Sequence, residues 1–125
     1  MNNGNKLKKN NLILDKTFEF SLSIIKIYKT LQYEKKEYVM SKQLLRSATS
    51  IGANAVEANS AQSHRDFIAK LSISFKEANE TLYWLRLLSK SGYLTSKSIF
   101  DECEEIIRII TSILVTARKN EEKVI

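Results

Sequence analysis

The chain has 125 residues, of which 43% are hydrophobic and 27% charged, with no proline and three glycines. At this length the composition leaves room for one domain with its own core, residues 1–125, and excludes a disordered, collagen-like or membrane-spanning chain. The formal charge of +6 sits in the first third: residues 1–46 carry ten Lys and Arg against four Asp and Glu, and the remainder carries ten of each sign. Such asymmetry suits a polyanion, nucleic acid above all, or serves only as a solvated lysine-rich face.

Few helix breakers imply long helices, and four are predicted, after a flexible basic tail over residues 1–10. The first is expected over about residues 11–32. Leu14, Phe18, Leu22 and Ile25 form one apolar stripe, Phe20, Ile24, Ile27 and Leu31 a second beside it, and Lys16, Lys26 and Lys29 the polar arc. The second helix is expected over about 41–59, with Ser41 as its N-cap. Leu44, Ala48, Ile51, Ala55 and Ala58 make a shallow inward stripe. Gly52 costs a helix about 1 kcal/mol relative to alanine, so a close backbone approach is the expected reason for it.

The third helix is expected over about 64–90, because Ser63 followed by Asp66 is a variant capping box and Gly92 a natural stop. Its seam of Ile68, Leu71, Phe75, Ala78, Leu82 and Leu85 has the 3–4 spacing of bundled helices. The fourth is expected over about 96–118, capped by Thr95 or Ser96, with Ile99, Cys103, Ile106, Ile110, Ile113 and Ala117 inward and Ile107 and Leu114 widening that face. Short connections between long amphipathic helices predict an all-α, antiparallel up-down four-helix bundle.

Several chemistries lack their residues. A di-iron site needs Glu-x-x-His pairs, whereas the chain has one histidine, His64, expected near a helix start at the surface. Cys103 lies on an apolar seam, where a thiol acts as a small hydrophobe, and a lone cysteine points to a reducing cytoplasm. No run approaches the roughly 20 apolar residues of a membrane span, and a secretory signal is not expected. Glu77 and Glu80 resemble an acid/base couple, but no nucleophile, metal-ligand set or phosphate loop accompanies them. Ion pairing with Arg46, Arg65 or Arg86 is the expected use, and no metal, cofactor or catalysis is expected.

A second apolar face appears on the third helix. At about 100° per residue, Ile73, Trp84 and Leu87 fall roughly opposite the core seam, which makes them candidate subunit contacts together with the thin stretch around Gly52. Arg46, Ser50, Asn54 and Glu57 share the polar arc of the second helix, where they either pair across a boundary, touch a ligand or stay solvated.

The stretches LLRSATSIGANAVEA, residues 44–58, and DFIAKLSISFKEANETLYWLRLL, residues 66–88, resemble the four-helix-bundle proteins encoded by intervening sequences in bacterial 23S ribosomal RNA genes. That family in turn looks like accessory proteins of diversity-generating retroelements. The resemblance implies a ring-like homo-oligomer, a homopentamer, and a nucleic-acid-binding role. Its matched positions are Arg46, Ser47, Ser50, Ile51, Asn54 and Glu57, then Lys76, Glu77, Glu80, Thr81, Tyr83 and Trp84, none with a catalytic assignment. From charge, the phosphate contacts expected are Lys6, Lys8, Lys9, Lys16, Lys26, Lys29 and Arg46. The second reading is a protein-interaction scaffold, or an accessory subunit for a nucleic-acid-processing partner such as a reverse transcriptase.

Overall fold

The computed structural model describes the backbone of residues 2–124 and the side chains of residues 11–120. Four helices, and no strand among the described residues, make up the chain: α1 (Asn2–Tyr33), α2 (Met40–Asn59), α3 (His64–Lys90) and α4 (Ser98–Val124). The first helix begins at Asn2 rather than near residue 11, so the backbone expected as a flexible tail is helical, while the side chains of Lys6, Lys8 and Lys9 lie outside the described ones. Each helix packs on two others: α1 and α3 both contact α2 and α4. The core between them is built from Phe20, Ile24, Leu44, Ile51, Leu71, Leu85, Ile106 and Ile110, all essentially inaccessible.

On α1 the rotation differs from the sequence reading. The buried residues are Ile13, Thr17, Phe20, Ile24 and Leu31, so only the second expected stripe faces the core. Phe18 and Leu22 are exposed, and Leu14 and Ile25 half-buried. Phe18 and Leu22 lie about 120° and 160° around the helix from Ile24, outside the arc that α2 and α4 cover. Thr17 can join the core because its Oγ1 donates to the Ile13 carbonyl at 2.7 Å, leaving no unpaired hydroxyl.

The start of α2 also corrects an expectation. Ser41 is not the cap but a buried residue of the first turn. The capping group is Glu37, whose carboxylate accepts from the backbone N–H groups of Val39, Met40 and Ser41 at 3.2, 3.0 and 2.7 Å. Burial opposes the charge on Glu37, but the hydrogen bonds from Met40, Ser41 and Val39 outweigh it and hold its pKa below the ordinary value. A carboxylate with a depressed folded pKa stabilises fully above its unfolded pKa, and that contribution fades as pH falls through the folded pKa. Glu37→Ala is therefore expected to cost about 1–2 kcal/mol near neutral pH, and the deficit should narrow on acidification. Urea midpoints of both proteins at neutral and acid pH check this; a gap that widens in acid contradicts it.

The ends of α3 follow the sequence. Ser63 is extended, and its side chain accepts from the Asp66 N–H at 3.0 Å. Gly92, with φ of 88°, takes the left-handed region just past the end of the helix. The helix start of α4 falls at Ser98 rather than at 96, and the helix continues to Val124. Its predicted inward residues, Ile99 through Ala117, are all buried. Cys103 among them directs its thiol at the Ala78 carbonyl, 3.6 Å away. Burial, with a smaller push from Glu104, raises this thiol's pKa to about 12, so it remains a neutral hydrophobe.

Candidate functional site

The α2–α3 seam carries most of the residues singled out from sequence. Side chains three or four apart on one helix stand about one turn apart, which is how α3 aligns Glu77, Glu80 and Trp84 on its α2 side. The Arg46 guanidinium reaches across from α2 to Glu77 at 3.1 Å and also pairs with Glu80. Glu80 accepts a second hydrogen bond from the Trp84 indole N–H at 3.0 Å. That indole bond, then the Arg46 contact, lowers the Glu80 pKa against the opposing effect of burial. Trp84 in turn meets Tyr83 edge to face, with ring centroids 5.3 Å apart.

Beneath this clasp the seam continues inward. Thr81 Oγ1 donates to Ser47 Oγ at 2.9 Å, and Ser74 Oγ donates to the Ile51 carbonyl at 2.7 Å. All four residues are buried, and no buried side-chain polar atom among the described residues lacks a partner. At the far end Glu57 pairs with Lys70 at 3.7 Å. Ser50 and Asn54 turn back onto their own helix, donating to the carbonyls of Arg46 and Ser50 at 2.7 and 2.8 Å. The motif polar residues Glu57, Glu77 and Glu80 thus serve as stitches between two helices, and Ser50 and Asn54 as local braces.

Gly52, expected at a subunit contact, faces Thr17 of α1 in its own chain; a Cβ there would stand 3.3 Å from both Thr17 Cβ and Oγ1. Its small size lets α1 and α2 close on each other. Of the other interface candidates, Ile73 and Leu87 are exposed, whereas Trp84 is half-buried against the core. The phosphate candidates are scattered. Lys26 and Lys29 stand exposed on α1, Lys16 pairs with Glu105 of α4 at 2.9 Å, and Arg46 is engaged by the two carboxylates. His64, at the first position of α3, lies 2.7 Å from the Ala117 carbonyl through Nε2 and stacks on Phe67.

Two features escaped the sequence reading. The first is the exposed apolar stripe of Phe18 and Leu22 on α1, with Val56 exposed on α2. The second is a groove between α3 and α4 that gathers Lys76 and Arg118. Its only sequence signal was Val115 placed among cations on an outer face of the last helix. Among the described residues no group of three or more His, Cys, Asp or Glu side chains is arranged to hold a metal, and no helix is long and apolar enough to cross a membrane.

These features define a small all-α bundle protein whose middle helix pair is held by a ladder of polar contacts. The chain belongs to the 23S rRNA-intervening sequence protein family, which matches residues 9–112. A similar solved structure is that of a protein of unknown function from the S23 ribosomal protein family of Bacteroides thetaiotaomicron. It is 52% identical, has a TM-score of 0.83, and covers 85% of this chain and 97% of its own. No curated protein matches the chain.

Proposed function

We propose that the chain is a non-enzymatic, cytoplasmic bundle that assembles into a ring-like homo-oligomer and binds RNA or DNA through backbone phosphates. The observation that carries nucleic-acid binding is the exposed pair Lys26 and Lys29 on α1, within a first third that holds the whole net charge. An antiparallel up-down arrangement is supported by the order of partners across the seam: Ser47 with Thr81, Ile51 with Ser74, Glu57 with Lys70. Self-assembly draws support from two apolar displays, Phe18 and Leu22 on α1 and Ile73 and Leu87 on α3, which nothing in a single copy covers. The neutral, buried Cys103 needs no oxidising compartment.

A second reading rests on the same apolar displays: they dock a nucleic-acid-processing protein, such as a reverse transcriptase, and the chain acts as its accessory subunit. The experiment is a gel-shift salt titration on protein whose mass has first been read by light scattering on a sizing column. Binding to structured RNA or duplex DNA should weaken steeply with salt, and Lys26→Gln with Lys29→Gln should reduce the log–log slope by about 1.4–1.8. Absence of binding at low salt removes the first reading in favour of the second, and a monomer that persists at high concentration removes the ring.

A further inference from the structure

Grooves of nearly equal size open on the two sides of α4, and the described residues of their walls carry opposite charge. The groove against α1, about 260 Å³, is lined by Asp15, Glu19, Glu102 and Glu105, with Lys16 as the one cation among its described residues. The groove against α3 is about 250 Å³ and has no carboxylate in its lining among the described residues. Its cations are Lys76 from α3 and Arg118 from α4, and its apolar surface comes from Phe75, Leu114 and Val115. Both cations are exposed, and Arg118 donates from Nη2 to Ser72 Oγ at 3.3 Å, which ties the guanidinium to the α3 wall.

On α4 further cations flank the groove. Arg108, Thr111, Val115 and Arg118 are spaced 3, 4 and 3 along α4, so they share one outward face, and Lys119 follows directly. Arg108 and Lys119 are exposed. A stripe of cations longer than the groove fits a chain of phosphates better than a compact anion. The apolar wall adds a second requirement, because Val115 is 47% exposed beside a half-buried Phe75. A duplex offers such a wall only its phosphates and base edges. A single strand offers unstacked base faces, and cationic grooves interleaved with aromatic side chains are how proteins take them up.

We infer that the α3–α4 groove receives a single-stranded nucleic-acid segment, with phosphates on Lys76 and Arg118 and a base against Phe75 and Val115. This rests on the nucleic-acid reading above and deepens it by naming the strand type and a contact surface separate from the α1 lysines.

The test is fluorescence anisotropy with two labelled strands of equal length, one of thymidine and one abasic. The proteins are the intact chain, a groove variant (Lys76→Gln with Arg118→Gln) and an α1 variant (Lys26→Gln with Lys29→Gln). All four replaced side chains are exposed, so the fold should persist, and circular dichroism confirms it. The intact chain should hold the thymidine strand about tenfold tighter than the abasic one. The groove variant should lose most of that preference, and its salt slope should fall by about 1.4. The α1 variant should keep the preference. If the groove variant binds both strands as the intact chain does while the α1 variant weakens, the groove is refuted and the broader reading stands. Equal binding of the two strands by the intact chain refutes the base contact. Failure of the intact chain to bind any RNA or DNA overturns both readings.

Discussion

Phe20→Ala is expected to destabilise the fold by about 3–5 kcal/mol, and Phe18→Ala, two residues earlier, by less than about 0.5 kcal/mol. Phe20 is 1% exposed and Phe18 63%. Truncating Phe20 removes the transfer free energy of a whole ring and leaves a cavity among neighbours such as Ile24 that cannot fully collapse. Truncating Phe18 removes a ring already in water, so the folded and unfolded states change almost equally. Urea unfolding at one fixed protein concentration separates the two. If Phe18 lies between subunits, its loss appears as weaker assembly on dilution, not as a lower midpoint of the dilute protein. Equal costs for the two variants would sink the rotation assigned to α1.

Gly52→Val is expected to cost about 1–3 kcal/mol through overpacking, and Gly52→Ala to forfeit the roughly 1 kcal/mol that replacing a mid-helix glycine usually brings. The new Cβ would meet Thr17 Cβ and Oγ1 at 3.3 Å, tighter than ordinary packing. Thr17 has little room to give way. It is 1% exposed, β-branched and therefore stiff at χ1, and its hydroxyl is committed to the Ile13 carbonyl. Relief must come from α1 and α2 moving apart, which loosens the contacts of Ile13 and Ile51 as well. Combining Gly52→Ala with Thr17→Ala should make the glycine replacement favourable again, a coupling that a double-mutant cycle reads directly. A single Gly52→Ala that raises the melting temperature by the full helix-propensity gain would show that close approach is not the glycine's purpose.

Much of this molecule is readable one helix at a time. Ser63, Asp66 and Gly92 mark the ends of α3 through contacts within four residues, and the 4–3 spacing from Ile99 to Ala117 marks one side of α4 with no competing apolar stripe. The ion pairing of Glu77 and Glu80 was also within reach, because their spacing put both carboxylates where a cation on α2 could bridge them. The cap of α2 was not. Glu37 lies outside the helix it starts, and the fold of the preceding turn, with Lys36 at φ of 57°, brings its carboxylate onto three amides. Nor was the basic groove: the charges of residues 47–125 cancel in sum, while the packing of α3 on α4 lines one groove with Lys76 and Arg118 and, among the described residues, no carboxylate.

By itself the sequence determined the number of helices, most of their bounds, the inward faces of α2 and α4, and the small side chains that let α2 sit close to its neighbours. Those properties depend on periodicity, capping and side-chain volume, which act within a few residues. The packing of the four helices settles which of two equally apolar stripes on α1 is buried, that Gly52 lies against Thr17 of α1, and that Arg46 is held by Glu77 and Glu80. Burial and pairing depend on which neighbour covers a face. Amphipathic spacing records that a face can be covered, and the packing of the four helices selects the one that is.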